Sequence, residues 1–96
     1  MLEQETGRDH VLIALGKSFT FRDYRGFRSG YEGKPTKSRF VVDMRETEYI
    51  DSSGLGMLLI LKDYAVGGSV ELRNAGAAVQ RILSMAHFDR LFPLGK

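Results

Sequence analysis

The sequence predicts one α/β domain in which crossover helices cover a β-sheet. Its 96 residues, of which 43% are hydrophobic, suit a single core of ordinary size. Short β-prone blocks alternate with longer segments of helical periodicity, in the order strand, helix, strand, helix, strand, helix. This alternation is what an α/β sheet with crossover connections requires.

An apolar run and an aromatic stripe predict the first strand and the first helix. Val11 to Leu15 is a short apolar run closed by Gly16, which favours a strand. A helix is predicted from Phe21 to Tyr31, because its large aromatic residues recur at spacings of three, three and four: Phe21, Tyr24, Phe27 and Tyr31. This stripe is expected to face the core. Residues 33–38 then form a loop.

The second half of the chain repeats the alternation. The β-prone block Arg39–Met44 is the predicted central strand. After it come a helix from Asp51 to Val66 that stops at Gly67-Gly68, an alternating strand at Ser69–Arg73 and a helix at Ala77–Met85. An apolar tail follows, with Phe88, Leu91 and Phe92.

The composition excludes several classes of function. The chain has no cysteine and two histidines, so disulfide scaffolds, thiolate zinc sites, cysteine nucleophiles and a metal centre are not expected. The longest apolar run, Met57–Leu61, has five residues, whereas a membrane-spanning helix needs about 20. The segment Met1–Thr6 is acidic and lacks the pattern of a secretory signal. We therefore expect a cytoplasmic protein without membrane insertion.

The charge distribution gives little indication of a nucleic-acid partner. Lys and Arg number 14 against 12 Asp and Glu, a net charge of +2, and the two signs are intermixed along the chain. The local cluster of Arg22, Arg25 and Arg28 would form a basic stripe on the first helix. It is either a solvated surface or a contact for an acidic partner.

One segment has the features of a modification site. Asp51-Ser52-Ser53-Gly54 lies where a strand gives way to a helix, whose first N–H groups have no intrahelical partner and favour an anion. If Asp51 or Ser52 is the N-cap, that side chain binds a backbone N–H, and Ser53 then lies at the first helical position with a free hydroxyl. Gly54 and Gly56 would let the active site of another protein approach closely. These features describe a phosphorylatable serine, but they also describe a plain helix cap.

The same helix carries two apolar stripes, whereas packing on a sheet requires one. Ser53, Met57, Ile60 and Tyr64 lie on one side, and Leu55, Leu58, Leu59 and Val66 lie on another. The stripe that contains Ser53 either packs under neighbouring elements or is exposed as a docking surface. In the second case, a phosphate on Ser53 would lie inside the interface and break the complex.

The segment Asp51-Ser52-Ser53-Gly54-Leu55-Gly56 resembles the signature of STAS-domain anti-sigma factor antagonists. The resemblance covers about residues 11–92, through Phe40-Val41-Val42-Asp43, Gly67-Gly68, Val70-Glu71-Leu72-Arg73-Asn74, Val79-Gln80-Arg81-Ile82-Leu83 and Phe88-Asp89-Arg90-Leu91-Phe92. It implies a single STAS-like domain over residues 1–96, with a mixed β-sheet covered by crossover helices.

The resemblance also implies a role for each residue of the motif. In this family the second serine of Asp-Ser-Ser is phosphorylated by an ATP-using anti-sigma kinase and dephosphorylated by a PP2C-type phosphatase. By position that residue is Ser53, and Asp51, Ser52 and Gly54 would form the loop and the cap around it. The partner-binding surface of the family maps to Ser53, Gly56, Met57 and Ile60, and Tyr64 continues the same stripe.

The expected function is therefore that of a non-enzymatic switch that needs no cofactor. The unphosphorylated chain, a monomer when free, would bind an anti-sigma factor or a serine kinase, and phosphate on Ser53 would release it. The alternative is a constitutive adaptor subunit of a larger complex, such as a transporter or a stressosome-like assembly, in which the Asp-Ser-Ser segment is only a cap. An enzyme with Ser53 as nucleophile has little support, because no base is identifiable beside it.

The chain departs from the family near the site. Many members carry an acidic residue shortly after the glycine that closes the early strand, close to the phosphorylation site. This chain reads Gly16-Lys17-Ser18-Phe19 at that place. A partner contact through such an acid is not expected here, and a divergent branch with its own kinase would fit the difference.

Overall fold

Parallel strands form most of the main sheet. The computed structural model describes residues 3–6, 10–92 and 94–95 of the chain. Within these ranges the strands are, in chain order, β1 (Glu3–Thr6), β2 (His10–Ala14), β3 (Ser18–Phe19), β4 (Arg39–Asp43), β5 (Tyr49–Ile50), β6 (Ser69–Arg73) and β7 (Leu94–Gly95). Five of them form one sheet in the order β1-β2-β4-β6-β7, and β3 pairs with β5 in a small second sheet. Because β1 is antiparallel to β2 and the other pairs are parallel, the sheet is mixed, as expected.

Helices form the connections between the strands. α1 (Tyr24–Tyr31) precedes β4, α2 (Ser52–Tyr64) joins β5 to β6, and α3 (Ala77–Met85) follows β6, with 3-10 turns at Phe21–Asp23 and Phe88–Arg90. The parallel strands step across the sheet in one direction, from β2 to β4, β6 and β7. Right-handed crossovers taken in one direction place their helices on the same face. The fold therefore has two layers, one of strands and one of helices.

One hydrophobic core lies between these layers. Alternate residues of β2, β4 and β6 belong to it, namely Val11, Ile13, Phe40, Val42, Val70 and Leu72. Each helix contributes to the same cluster, with Phe27 from α1, Leu58 from α2 and Leu83 from α3. Since apolar burial is worth roughly 25 cal/mol per Å², this cluster is the main stabilising contribution to the fold.

The opposite face of the sheet carries a network of ion pairs. Glu71 accepts hydrogen bonds from Arg39 at 2.9 Å and from Arg73 at 2.9 and 3.1 Å. The bonds from Arg39 and Arg73 lower the pKa of the Glu71 carboxyl group. Val41, whose register partner is Glu71, is fully buried on this face. The period-two alternation of the strands thus separates a helix-covered face from a charged one.

The predicted elements occur in the predicted order, with small differences at their ends. Strand β6 and helix α3 have the predicted bounds. β2 and β4 each end one residue before the prediction, and α2 ends at Tyr64 rather than Val66. Gly67, with a φ of +85°, closes the turn after α2, a conformation that glycine adopts without strain.

Strands β1, β3 and β7 were not predicted. They have four, two and two residues, and runs this short give no readable alternation. The pair Tyr49-Ile50, which the sequence left unassigned, forms β5. Of the acidic N-terminal segment, residues 1 and 2 lie outside the described part of the chain, and residues 3–6 form β1.

The aromatic stripe predicted for Phe21–Tyr31 is only partly buried. The segment begins with a 3-10 turn, closed by a capping box between Thr20 and Asp23. Phe27 lies in the core, but Phe21 is 68% exposed. The expectation that Phe21 faces the core is wrong, because a 3-10 turn has fewer residues per turn than an α-helix and displaces Phe21 from the stripe of α1.

Helix α2 buries a different set of residues from the one predicted. Its buried residues are Gly54, Met57, Leu58 and Leu61. Of the two alternatives left open for the stripe that contains Ser53, packing applies to Met57, at 4% exposure, and exposure applies to Ile60, at 50%. On the other stripe Leu58 is buried, whereas Leu59, at 39%, reaches the surface. The sequence could not fix this rotation, because apolar residues occur on almost every side of the helix.

Replacing Leu58 by alanine should lower the free energy of unfolding by about 2–5 kcal/mol, because truncation of a fully buried side chain leaves a cavity. The same substitution at Leu59, the next residue along the helix, should cost less than about 1 kcal/mol, since part of this side chain is already in water. Urea unfolding followed by circular dichroism measures both. Equal losses at the two positions would contradict the observed orientation of α2.

Candidate functional site

Two parallel strands end side by side at the start of α2. Residues Ser18 and Phe19 of β3 pair with Tyr49 and Ile50 of β5. Beyond this pair, the Asp51 N–H donates to the Phe19 carbonyl at 3.4 Å. Because the chain leaves both strands in the same direction, the 3-10 turn after β3 and the helix after β5 begin next to each other. The Asp-Ser-Ser segment lies at this junction.

Asp51 is the N-cap of α2. Its Oδ1 atom accepts hydrogen bonds from the Ser53 hydroxyl at 2.6 Å and from the Gly54 N–H at 2.9 Å. These two bonds, the Ser53 bond foremost, lower the pKa of the Asp51 carboxyl group. The carboxylate is therefore charged at neutral pH and complements the positive end of the helix. Of the two caps that the sequence left open, Asp51 is the one used.

The hydroxyl of Ser53 is not free. The helix begins at Ser52, so Ser53 is its second residue rather than its first. Ser53 is half-buried and its Oγ donates to Asp51, whereas Ser52 is exposed. The expectation of a free hydroxyl is wrong because the residue two positions earlier supplies an acceptor. Modification of Ser53 Oγ would remove the proton that makes this bond.

The two glycines beside Ser53 have different roles. A Cβ atom at Gly54 would lie 2.3 Å from the carbonyl oxygen of Phe19 and 2.9 Å from Cγ2 of Ile50. Gly54 is thus a buried packing residue, and the expectation that it opens the site to a visiting protein is wrong. A Cβ atom at Gly56 would meet no atom within 4 Å, so this glycine does leave space beside the site.

The four residues predicted to bind a partner do not share one surface. Ile60 is 50% exposed and Gly56 is accessible, whereas Met57 belongs to the core. Tyr64 is half-buried, and its hydroxyl donates to the Lys34 carbonyl at 2.5 Å. This bond ties the end of α2 to the loop after α1, which gives Tyr64 a structural role.

Aromatic residues outside the predicted set add to the apolar surface near Ile60. Phe21 stacks on Tyr24 with ring centroids 5.7 Å apart, and Tyr24 and Ile60 line one groove between α1 and α2. Tyr49, 52% exposed, lies two residues before Asp51.

Phe21 was not predicted to be a surface residue. The signal was present, since Thr20 and Asp23 have the spacing of a capping box. A capping box at this position marks Phe21 as the first residue of a turn, separate from the buried stripe that follows it.

Exposed basic residues occur on the segments that lead to the site. Lys17 is exposed, and its carbonyl accepts a hydrogen bond from the Tyr49 N–H at 3.2 Å, which places it beside β5. Arg22 and Arg25 are exposed on the 3-10 turn and on α1. The third arginine of the predicted stripe, Arg28, pairs with Glu32 at 2.8 Å.

The side chains of residues 10–92 include no cluster of His, Asp and Glu that could hold a metal ion. In the part of the chain that the structure describes, none of the helices combines the length and the apolar character needed to cross a membrane.

The sequence matches a known family over almost its full length. Residues 2–94 match the family described as "Mlab, STAS domain". A STAS-domain containing protein of Pseudomonas aeruginosa (strain UCBPP-PA14) is 42% identical over 87 residues, which cover 88% of this chain and 86% of that protein.

Solved structures of low sequence identity share the fold. The anti-sigma factor antagonist SpoIIAA, the Bacillus cell fate determinant, has in its unphosphorylated form a TM-score of 0.81 at 18% identity, covering 100% of this chain and 89% of its own. A sulfate transporter family protein from Wolinella succinogenes has a TM-score of 0.78 at 15% identity, covering 95% and 80%. The likeness is one of fold.

Alanine at Gly54 and alanine at Gly56 should have opposite effects on stability. At Gly54 the added Cβ meets the Phe19 carbonyl oxygen, which belongs to the backbone and cannot turn aside, so the free energy of unfolding should fall by at least about 2 kcal/mol. At Gly56 the space is open and alanine has the higher helix propensity, so the free energy of unfolding should rise by roughly 0.5–1 kcal/mol. Thermal unfolding measures both changes, and two effects of the same sign would contradict the observed packing.

Replacing Ser53 by alanine should raise the pKa of Asp51 towards its ordinary value, because the Ser53 hydroxyl bond is the largest cause of its lowering. A carboxyl group whose pKa is lowered by folding stabilises the protein above its unfolded-state pKa, and this stabilisation is lost as the pH falls through the folded-state pKa. In Ser53→Ala, Asp51 should therefore contribute less stability at neutral pH, and less of it should be lost as the pH falls. A carboxyl ¹³C NMR titration measures the pKa, Ser52→Ala is the matched control, and an unchanged Asp51 pKa in Ser53→Ala would contradict the bond.

Proposed function

We propose that this chain, which belongs to the STAS domain family, is a non-enzymatic regulatory protein of the anti-sigma factor antagonist type. In its unphosphorylated form it binds an anti-sigma factor or an ATP-using serine kinase of that class. Phosphorylation of Ser53 releases the partner, and a PP2C-type phosphatase restores the binding form. We place this cycle in the cytoplasm, with the free chain a monomer that needs no cofactor and binds no nucleic acid.

The position of Ser53 at the start of α2 is the observation that supports this proposal. Its Oγ lies in the first turn, where N–H groups without an intrahelical partner and the helix dipole stabilise a phosphate. Gly56 lies one turn further along the same side and leaves room for a partner. Ile60, one more turn along, offers exposed apolar surface. A modifiable atom and an accessible surface thus occur on one side of one helix.

A phosphate at Ser53 would weaken binding through its charge and its volume. It adds a charge of about −1.5 to −2 at neutral pH. A partner that covers Gly56 and Ile60 removes water from this surface, and an unpaired charge buried there costs about 3–5 kcal/mol. Since 1.4 kcal/mol corresponds to a factor of ten, the affinity would fall by roughly a hundredfold or more.

The partner is proposed to be particular to this branch of the family. Shortly after Gly16, where many family members carry an acid, this chain has the exposed Lys17. Like charges placed opposite one another across an interface are costly. A kinase that contacts this side of the site would therefore present neutral or acidic groups to it.

A constitutive adaptor is the second candidate, and one observation favours it. Asp51 holds the Ser53 hydroxyl in a short hydrogen bond, as it would if the segment served only as a cap. The same fold also occurs in a sulfate transporter family protein. In this role the chain would be a permanent subunit of a transporter or a stressosome-like assembly, and phosphate would play no part.

Two substitutions at Ser53 should separate these functions. Ser53→Asp, which places a negative charge at the site, should lose the partner in co-purification from the native cells, and Ser53→Ala should retain it under all conditions. Mass spectrometry of the wild-type protein should find a phosphate on the peptide that contains Ser52 and Ser53, located at Ser53 and removable by a phosphatase.

Ser52→Ala is the matched control, because it removes a neighbouring hydroxyl that Asp51 does not hold. It should bind its partner and accept phosphate as the wild type does. Wild-type binding by both Ser53 variants, together with an unmodified peptide under growth and stress conditions, would contradict the switch and favour the adaptor.

A further inference from the structure

We propose that phosphorylation of Ser53 transfers the cap of α2 from Asp51 to the phosphate, and turns the Asp51 carboxylate out towards the surface that a partner would contact. This inference rests on the proposed function, because it concerns the same serine. It gives Asp51 a regulatory role in addition to capping: the carboxylate is retained while Ser53 is unmodified and expelled once Ser53 is phosphorylated.

A single oxygen atom maintains the unmodified arrangement. Oδ1 of Asp51 accepts both the Ser53 hydroxyl, at 2.6 Å, and the Gly54 N–H, at 2.9 Å. A hydrogen bond from a hydroxyl to a carboxylate at this distance belongs to the strong, charge-assisted class. Two donors therefore hold Asp51 in place, and the Ser53 hydroxyl makes the shorter bond.

Phosphorylation removes this donor and adds a repulsive charge. The O–H bond of Ser53 is replaced by an O–P bond, the proton passes to solvent, and the γ-phosphoryl group comes from the ATP of the proposed kinase, with ADP as the leaving product. A group of charge about −1.5 to −2 is then attached to the atom that lay 2.6 Å from Asp51. Like charges this close repel strongly, so the carboxylate cannot stay in place.

The backbone of the helix start cannot move to relieve this repulsion. Gly54 is packed so tightly against Phe19 and Ile50 that even a Cβ atom would not fit. The Asp51 N–H is also bonded to the Phe19 carbonyl. With the backbone fixed, a side chain has to rotate, and we assign this rotation to Asp51. The Gly54 N–H that it leaves can be taken by a phosphate oxygen, since helix N-termini bind phosphate through such groups.

The surface consequently changes by more than the charge of the phosphate. An expelled Asp51 carboxylate adds its own charge next to the exposed Ser52. A partner fitted to the unmodified helix start then meets two separate negative groups at one place. The expelled carboxylate would add to the repulsion that releases the partner.

A thermodynamic cycle tests this inference without a kinase or a partner. Phosphoserine is incorporated at position 53 through an expanded genetic code, and Asp51→Ala is made in the modified and unmodified proteins. In the unmodified protein the substitution removes the cap and should lower Tm by roughly 4–8 °C. In the phosphorylated protein it should leave Tm unchanged or raise it, because Asp51 no longer caps the helix. An equal loss of Tm in both forms would overturn the proposal.

Phosphoserine at position 84 is the matched control, since Ser84 is exposed on α3 and lies outside the site. With phosphate there, Asp51→Ala should keep its full effect on Tm. A second variant, Asp51→Asn, keeps the accepting oxygen and removes the charge, so the cycle can be measured even if Asp51→Ala does not fold. It should raise Tm in the phosphorylated form only, and a loss in that form would also overturn the proposal.

The outcomes distinguish this inference from the proposed function. If Asp51 still caps the phosphorylated helix, the inference fails, but Ser53 could still control a partner. If no phosphate forms on Ser53 in the cells, the proposed function fails, whatever the cycle shows.

Discussion

The close approach of Gly54 to the carbonyl oxygen of Phe19 is the constraint on which the site depends. Only a residue without a side chain allows it, since a Cβ atom would lie 2.3 Å from that oxygen. The contact fixes the first turn of α2 against the end of β3, so that the Gly54 N–H meets Asp51 and Asp51 meets Ser53. A packing contact between two backbone segments, without any side-chain functional group, thus fixes the surroundings of the Ser53 hydroxyl.

Helix α2 supplies both the core and the surface. Its inner side buries Met57, Leu58 and Leu61, while Leu59 and Ile60 on its outer side remain in contact with water. Exposed apolar residues such as Leu59 and Ile60 contribute little to folding, and exposed apolar patches commonly mark interaction surfaces. Both sides meet in the first turns of α2. Gly54 lies on the buried side, and Ser53 and Gly56 lie on the accessible side.

Much of the fold could be predicted from the sequence, but the orientation of side chains within it could not. The bounds of β6 and α3 follow from clear periodicity, and the Asp-Ser-Ser segment was correctly placed at a helix start. The rotation of α2 was not predictable, because apolar side chains on nearly all of its sides leave the periodicity ambiguous. The bond between Ser53 and Asp51 depends on which residue caps the helix, and the local sequence allowed two.

The parallel pairing of β3 with β5 has a consequence for how the protein is made. The residues it joins, Ser18 with Tyr49 and Phe19 with Ile50, are about thirty positions apart in the chain, as are those that join β2 to β4. Such pairs cannot form through a local hairpin, and proteins built from distant contacts fold more slowly than those built from local ones. Ser53 leaves the ribosome after both strands, but its packed surroundings exist only once β3 and β5 have paired. A kinase that recognises the assembled helix start would therefore act only on molecules that have finished folding, which couples the signal to the supply of native protein.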